Sequence, residues 1–259
     1  MDLGLRNKVA LVTAASKGMG KASAMGLAAE GARVAMCART AADLEAAAAE
    51  VRAATGAEVF AMPADVTRAE QVTALVAKVG ERFGGIDILV ANAGGPPRGH
   101  FEDLTDEQWQ GAVDVSLMST VRLIRAVLPS MKARRWGRIL TIQSSSVKQP
   151  IPELLLSNSV RPGVAGLMKT LALQLGSHNI LVNTVCPGKI MTDRFMSGVT
   201  ASGLSREEYL QTASAEVPLG RIGTPEEFAN VIVFLASERA SYLTGATLQV
   251  DGGLVRGLL

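Results

Sequence analysis

Two glycines, Gly18 and Gly20, stand two residues apart where an apolar run, Val9-Ala10-Leu11-Val12, breaks into Thr13-Ala14-Ala15-Ser16-Lys17 and then becomes helix-like. A helix N-terminus offers unpaired N–H groups and the positive end of a dipole, and glycine lets a diphosphate approach the backbone closely. The chemistry open to this spacing is the holding of a dinucleotide. A turn that merely connects strand to helix would carry the same two glycines, so residues after the other apolar runs must decide. Ala38-Arg39-Thr40 has no acid where a ribose 2′-hydroxyl would need one, and Arg39 is placed to meet a 2′-phosphate instead. Asp65 and Val66 suit an adenine edge, while Asn92, Ala93, Gly94 and Gly95 are small enough for backbone to pack against a cofactor.

Positioning these groups requires strands that all end on one side. Short β-branched runs are predicted at Lys8–Thr13, Arg33–Ala38, Glu58–Ala61, Ile86–Ala91, Arg138–Gln143, Ile180–Val185 and Ala246–Val250, and longer helical patterns separate them. That alternation predicts an α/β chain with parallel strands joined by right-handed helical crossovers, in which ligands lie outside the carboxyl ends of the strands. Helix starts are signalled at Thr40 with Asp43, Thr105 with Gln108, Ser205 with Glu208, and Thr224 with Pro225 and Glu227. Trp109, Val113, Ser116, Leu117, Thr120, Val121, Ile124 and Leu128 recur at three-to-four spacing and predict a long amphipathic helix ending near Pro129. With no internal repeat or linker, residues 1–259 read as a single domain.

Composition narrows the function classes. A net charge of +2 and 4% aromatic residues provide neither the electrostatic footprint nor the stacking platform of a nucleic-acid binder. The early Asp2 resembles neither a signal nor a transit peptide, and no window of about 18 residues is apolar enough to span a bilayer, so no membrane partner and a cytoplasmic location are expected. Cys37 and Cys186 sit in or beside apolar runs and read as buried thiols; His100 and His178 have no acids at ligand spacing, so no metal is expected. Charged residues make up only 19%, against about 25% in typical soluble chains, which suggests apolar surface covered by other subunits.

Taken together, these marks resemble the short-chain dehydrogenase/reductase family, of the kind similar to 3-oxoacyl carrier-protein reductases. They are Thr13, Ala15, Ser16, Lys17, Gly18, Met19 and Gly20 in the turn, Asp65-Val66, Asn92-Ala93-Gly94, Ser144, Pro187-Gly188, and the tail from Gly220-Arg221-Ile222-Gly223-Thr224-Pro225 to Asp251-Gly252-Gly253. The resemblance covers essentially the whole length. It implies a doubly wound Rossmann-type domain with a seven-stranded parallel sheet, a preference for NADP(H) through Lys17 and Arg39, and a homotetramer. It also implies a small carbonyl or alcohol substrate, with Pro187, Gly188, Ile190 and Thr192 bordering the nicotinamide.

The departures from that pattern concern chemistry. The family's first turn glycine is Ala14, a small residue that the turn tolerates if its φ is negative. The family places a tyrosine thirteen residues after its serine and a lysine four further on; counted from Ser144, those positions hold Ser157 and Arg161, and the family's asparagine corresponds to Ser116. A phenol of pKa about 10 is drawn toward neutrality by its cation, at about 1.4 kcal/mol per pKa unit. Arg161 can keep the positive charge and hold the ribose but cannot shuttle a proton. Ser157 is a poor acid, and Lys148 is the nearest titratable side chain in sequence after Ser144. Pro162 would disturb the backbone at Asn158 unless the next helix starts late, in which case Ser157 and Arg161 need not share a face. Leu154-Leu155-Leu156 could line an apolar pocket or pack as helix core, and residues 191–215, with Gly198 and Gly203 around a capped helix, read as a substrate lid.

Three readings fit this combination. The first is an NADP(H)-dependent oxidoreductase in which Ser144 polarises the substrate oxygen, Arg161 holds the ribose, and water, Ser157 or Lys148 relays the proton. The second is a dinucleotide-binding protein without redox turnover, and the third a non-redox enzyme on the same fold. The first makes a prediction about cofactor choice. A charge-assisted contact contributes about 1.5–3 kcal/mol, so Arg39→Ala is expected to weaken NADPH roughly 10- to 150-fold in a fluorescence titration and to leave NADH nearly unchanged. Equal affinity of the unmodified protein for both would contradict it.

Overall fold

The computed structural model describes residues 1–258. In chain order it runs β1 (Val9–Thr13), α1 (Gly18–Ala29), β2 (Arg33–Ala38), α2 (Ala41–Thr55), β3 (Val59–Pro63), α3 (Ala69–Phe83) and β4 (Ile88–Ala91). There follow α4 (Asp106–Ala112), a π-helical turn over Val113–Met118, α5 (Ser119–Arg134), β5 (Gly137–Ile142), α6 (Leu155–Leu175) and β6 (Ile180–Pro187). The chain ends with α7 (Asp193–Ser202), α8 (Arg206–Ala215), α9 (Pro225–Ala236) and β7 (Thr247–Val250). Seven parallel strands form one sheet in the order β3-β2-β1-β4-β5-β6-β7. The order reverses at β1, which pairs with β2 on one side and β4 on the other; in a doubly wound sheet that reversal is where a crevice forms outside the carboxyl ends.

Both sheet faces are covered, which is why the strands are apolar throughout rather than alternating. Ala10 and Val12 of β1 pack on the face covered by α1, α2 and α9, while Val9 and Leu11 pack on the opposite face under α3, α5 and α6. Each fully buried leucine or valine of this kind stabilises the fold by about 1.5–3 kcal/mol. The strands thus match the predicted runs to within two residues at most ends. Capping boxes form at Thr105/Gln108, Ser205/Glu208 and Thr224/Glu227, the last with Pro225 in the first turn. Thr40 begins α2 without a side-chain cap, because its hydroxyl makes no bond to the first turn. Cys37 and Cys186 are buried free thiols, and among the described residues no helix is long and apolar enough to cross a membrane.

Three local expectations are corrected. The long helix does not end at Pro129: α5 passes through it to Arg134, and Arg135, at φ 53°, terminates the helix. Val127 and Met131 are buried on either side of the proline, so tertiary packing holds the helix past the missing hydrogen bond. Nor is that helix uniform, since the π turn separates α4 from α5 and carries Ser116. Ala14 does not keep a negative φ. It sits at +47°, the left-handed region that costs a non-glycine residue about 1–2 kcal/mol. The conformation is imposed by bonds on both sides: Asn92 Nδ2 donates to the Ala14 carbonyl at 3.4 Å and the Ala15 N–H donates to the Cys37 carbonyl at 2.9 Å.

Candidate active site

The crevice is pinned where β1 meets β4. The Thr13 hydroxyl donates to the Asn92 carbonyl at 2.6 Å and accepts from the Asn92 N–H at 2.9 Å, so the turn after β1 and the loop after β4 are one unit. Gly18, at φ +56°, opens α1, and a Cβ on Gly20 would overlap the Ala14 carbonyl oxygen. This explains the second glycine: helix and strand touch there. The N-terminus of α1 has no side-chain cap and no acid in its first turn, leaving its N–H groups to an outside anion. These features fit the diphosphate of a dinucleotide. Ala15 is buried beneath them, Ser16 and Met19 are half-buried, and Lys17 is exposed.

Farther along the same rim, Asp65 is held by Thr67, whose N–H and hydroxyl donate to Oδ1 at 2.9 and 2.7 Å, while its own N–H donates to Gln71 at 2.7 Å. Burial would raise the Asp65 pKa, but these bonds and the charges of Arg39 and Arg68 bring it below the usual carboxylate value. Arg39 is exposed and close enough to contribute to that shift. Val66 packs partly against the second core. Ala93 and Gly94 follow Asn92 along the crevice, and the far wall is Pro187-Gly188, where a Cβ on Gly188 would run into Asp251. Ile190 is buried and bridges to Gly223; Thr192 caps α7 by accepting from the Phe195 N–H at 3.2 Å.

Beyond β5 lie the residues that depart from the family pattern. Ser144 Oγ accepts from the Ser146 N–H at 3.1 Å, which leaves the serine's own proton free to be donated outward. α6 begins at Leu155, so Pro162 lies inside the helix rather than in its first turn. The helix survives because Val160, Val164 and Met168 are buried, and because the Asn158 amide ties its N-terminal end to Ile151, donating at 2.8 Å and accepting at 3.1 Å. Ser157 and Arg161 are therefore one turn apart on one face, and both are buried. Ser116 packs in the π turn against α6 with its hydroxyl buried and unpartnered. Leu156 is helix core, beside Ala112 and Val160, and Leu154 bridges to Gly99. Lys148 is half-buried, and its charge reaches the buried Cys186 thiol, which burial nevertheless pushes up to about 11.

Arg161 Nη1 donates to Gln143 Oε1 at 3.1 Å. Burial, with a smaller contribution from nearby Arg194, pushes the guanidinium down to about 10. Gln143, Arg194 and Asp193 were not singled out from sequence. Gln143 had a visible signal, a buried amide at the end of an apolar run directly before Ser144; the other two had none. Arg194 reaches back from α7 to donate to the carbonyls of Gly95 and Pro96 at 3.4 and 3.1 Å, and Asp193 pairs with Lys17 at 3.6 Å. With the Thr192 methyl lying where a Cβ on Gly18 would meet it, these contacts bring the start of the 191–215 segment to the glycine turn and the loop after β4.

A parallel sheet with its crevice at the reversal point, a glycine turn shaped for diphosphate and a serine after β5 define a nicotinamide-dependent oxidoreductase site. The chain belongs to the short-chain dehydrogenase/reductase family: the family described as enoyl-(acyl carrier protein) reductase matches residues 13–255. It is 40% identical over 254 residues to a monensin polyketide synthase putative ketoacyl reductase of Streptomyces virginiae, covering 96% of this chain and 97% of that one. It is 37% identical over 254 residues to a 3-oxoacyl-[acyl-carrier-protein] reductase of Vibrio cholerae, covering 97% and 99%. Among solved structures it superposes on L-sorbose reductase from Gluconobacter frateurii, complexed with NADPH and L-sorbose, with a TM-score of 0.95 at 37% identity over the whole of both chains.

One consequence concerns stability. A cation whose pKa is lower folded than unfolded opposes folding while it is charged; here that burden is carried in full at neutral pH and is lifted only as pH rises past about 10. Arg161→Met should therefore raise stability at pH 7 by about 1 kcal/mol, read from the urea midpoint. A fall of that size would show that Arg161 serves as a structural strut.

Proposed function

We propose that this reductase transfers hydride between NADP(H) and a small carbonyl or alcohol substrate through a non-standard site built on Ser144, Ser157 and Arg161. The observation that supports this most directly is the shared buried face of Ser157 and Arg161 on α6, which packs against the turn that follows Ser144, together with a glycine turn after β1 that fits a dinucleotide diphosphate. NADP(H), when bound, supplies or accepts the hydride. Thr13, Ala15, Ser16, Lys17, Gly18, Met19 and Gly20 would hold its diphosphate side; Arg39, Asp65 and Val66 its adenosine phosphate and base; Asn92, Ala93, Gly94, Pro187, Gly188, Ile190 and Thr192 its nicotinamide side.

Ser144 orients the substrate oxygen with its outward proton. Arg161 holds the ribose hydroxyls and keeps a fixed positive charge beside the reacting oxygen. It cannot release a proton at neutral pH, so the proton comes from water through Ser157 or from Lys148, with Ser116 offering an unpartnered hydroxyl behind them. Residues 191–215 act as the lid, latched by Arg194 and Asp193. We place the enzyme in the cytoplasm as a homotetramer that covers exposed apolar groups such as Leu173, Phe234 and Tyr242; a monomer by light scattering at micromolar concentration would contradict the assembly.

The chemical test restores what the family carries. Because positions 157 and 161 share a face, Ser157→Tyr with Arg161→Lys should gain activity on simple ketones by up to about 10²-fold, the low end of what a positioned acid contributes. Either change alone should do less, since phenol and ammonium act as a unit. If the unmodified protein instead binds NADPH and transfers no hydride to any carbonyl in single turnover, the redox reading fails.

A further inference from the structure

Arg161 carries its charge where the chain gives it no negative partner. It is 7% exposed, and among the described residues its five N–H donors make one hydrogen bond, to the neutral amide of Gln143. Nε and Nη2 make none, and neither is among the fully enclosed polar atoms that lack a partner, so both keep contact with solvent. No carboxylate is among the charges that act on Arg161, and Glu153, Asp193 and Asp251 are engaged elsewhere: Glu153 with Arg98 at 3.6 Å, Asp193 with Lys17 at 3.6 Å, and Asp251 with the N–H groups of Gly253 and Val255 at 2.9 Å. Arg194 adds a second guanidinium beside the first, held by two carbonyl oxygens and by no carboxylate. A buried cation without a counter-ion is a costly arrangement, and a chain that needed only a cation could keep a lysine, which neutralises more readily. The diphosphate does not supply the charge, because its cradle lies at the turn after β1, and ribose hydroxyls are neutral.

We propose that the substrate supplies it: a carbonyl compound that also bears a carboxylate, an oxo acid, gripped by the open N–H edge of Arg161 with Arg194 closing from the lid. A planar guanidinium fork matches a carboxylate in bidentate fashion, which an ammonium cannot do. This rests on the hydride-transfer reading. The carbonyl carbon takes the hydride from NADPH to form a C–H bond, the C=O π pair moves to oxygen, and the oxygen, oriented by Ser144, takes a proton drawn from water through Ser157 or from Lys148. The products are a hydroxy acid and NADP⁺.

The test compares acetoacetate and 2-oxobutanoate with their methyl esters, by calorimetric titration of the NADP⁺-loaded protein and by NADPH oxidation. Each acid is expected to bind about 10²-fold more tightly than its ester, in line with charge-assisted bonds to a buried guanidinium, with the gap narrowing as salt rises. Arg161→Met should bring the acid-to-ester ratio to within a few-fold, Arg161→Lys should recover part of it, and Arg194→Gln, at a more exposed position, should lower it about tenfold. A ratio near one in the unmodified protein, no binding of either acid, or a ratio unchanged in both Arg161→Met and Arg194→Gln overturns the proposal. Acids bound with the expected preference but never reduced would support the carboxylate site and refute hydride transfer. Esters reduced as efficiently as acids would do the reverse.

Discussion

The paired hydrogen bonds between Thr13 and Asn92 are the constraint on which the crevice depends. They join the ends of β1 and β4 at the point where the sheet reverses its order, and every candidate site residue is placed relative to that junction. Ala14 is held in a left-handed conformation next to it, and Gly20 is the one residue size that lets α1 pack there. Strain of about 1–2 kcal/mol at Ala14 is small beside the burial of two sheet faces, so the turn keeps its shape without the usual glycine.

Along α6, Ser157 and Arg161 stand one turn apart where the family pattern has tyrosine and lysine. A tyrosine–lysine pair can pass a proton, whereas a guanidinium holds its charge and polarises. Desolvation makes the Arg161 charge unfavourable to the fold, and costs of this kind cluster at functional sites. The neutral amide of Gln143 orients the guanidinium without cancelling it, so the charge remains available to whatever enters.

The segment from Thr192 ties these halves together. Its first three residues reach the glycine turn, Lys17 and the loop after β4, with the Thr192 methyl close by Gly18, an ion pair to Lys17 and two carbonyl bonds. All are peripheral, exposed or half-exposed contacts of small individual strength. None of them involves the sheet, while Ile190 and the bridge to Gly223 anchor the base of the segment.

How much of this was legible in the sequence follows the range of the interactions. Strand runs, the glycine turn and three capping boxes are local patterns, set within a few residues or by periodicity, and they determined the parallel α/β architecture; the spacing of Ser157 and Arg161 put both on one helix face. The sign of φ at Ala14 was not local, because Asn92 and Cys37, far along the chain, impose it. Whether α5 and α6 outlast Pro129 and Pro162 was likewise decided by burial of Met131, Val164 and Met168, which outweighs a missing hydrogen bond. The bond of Arg161 to Gln143 and the reach of Arg194 to Gly95 cross 18 and 99 residues of chain. Only a folded sheet brings such groups together, since closing those loops is unfavourable until the core that follows repays it.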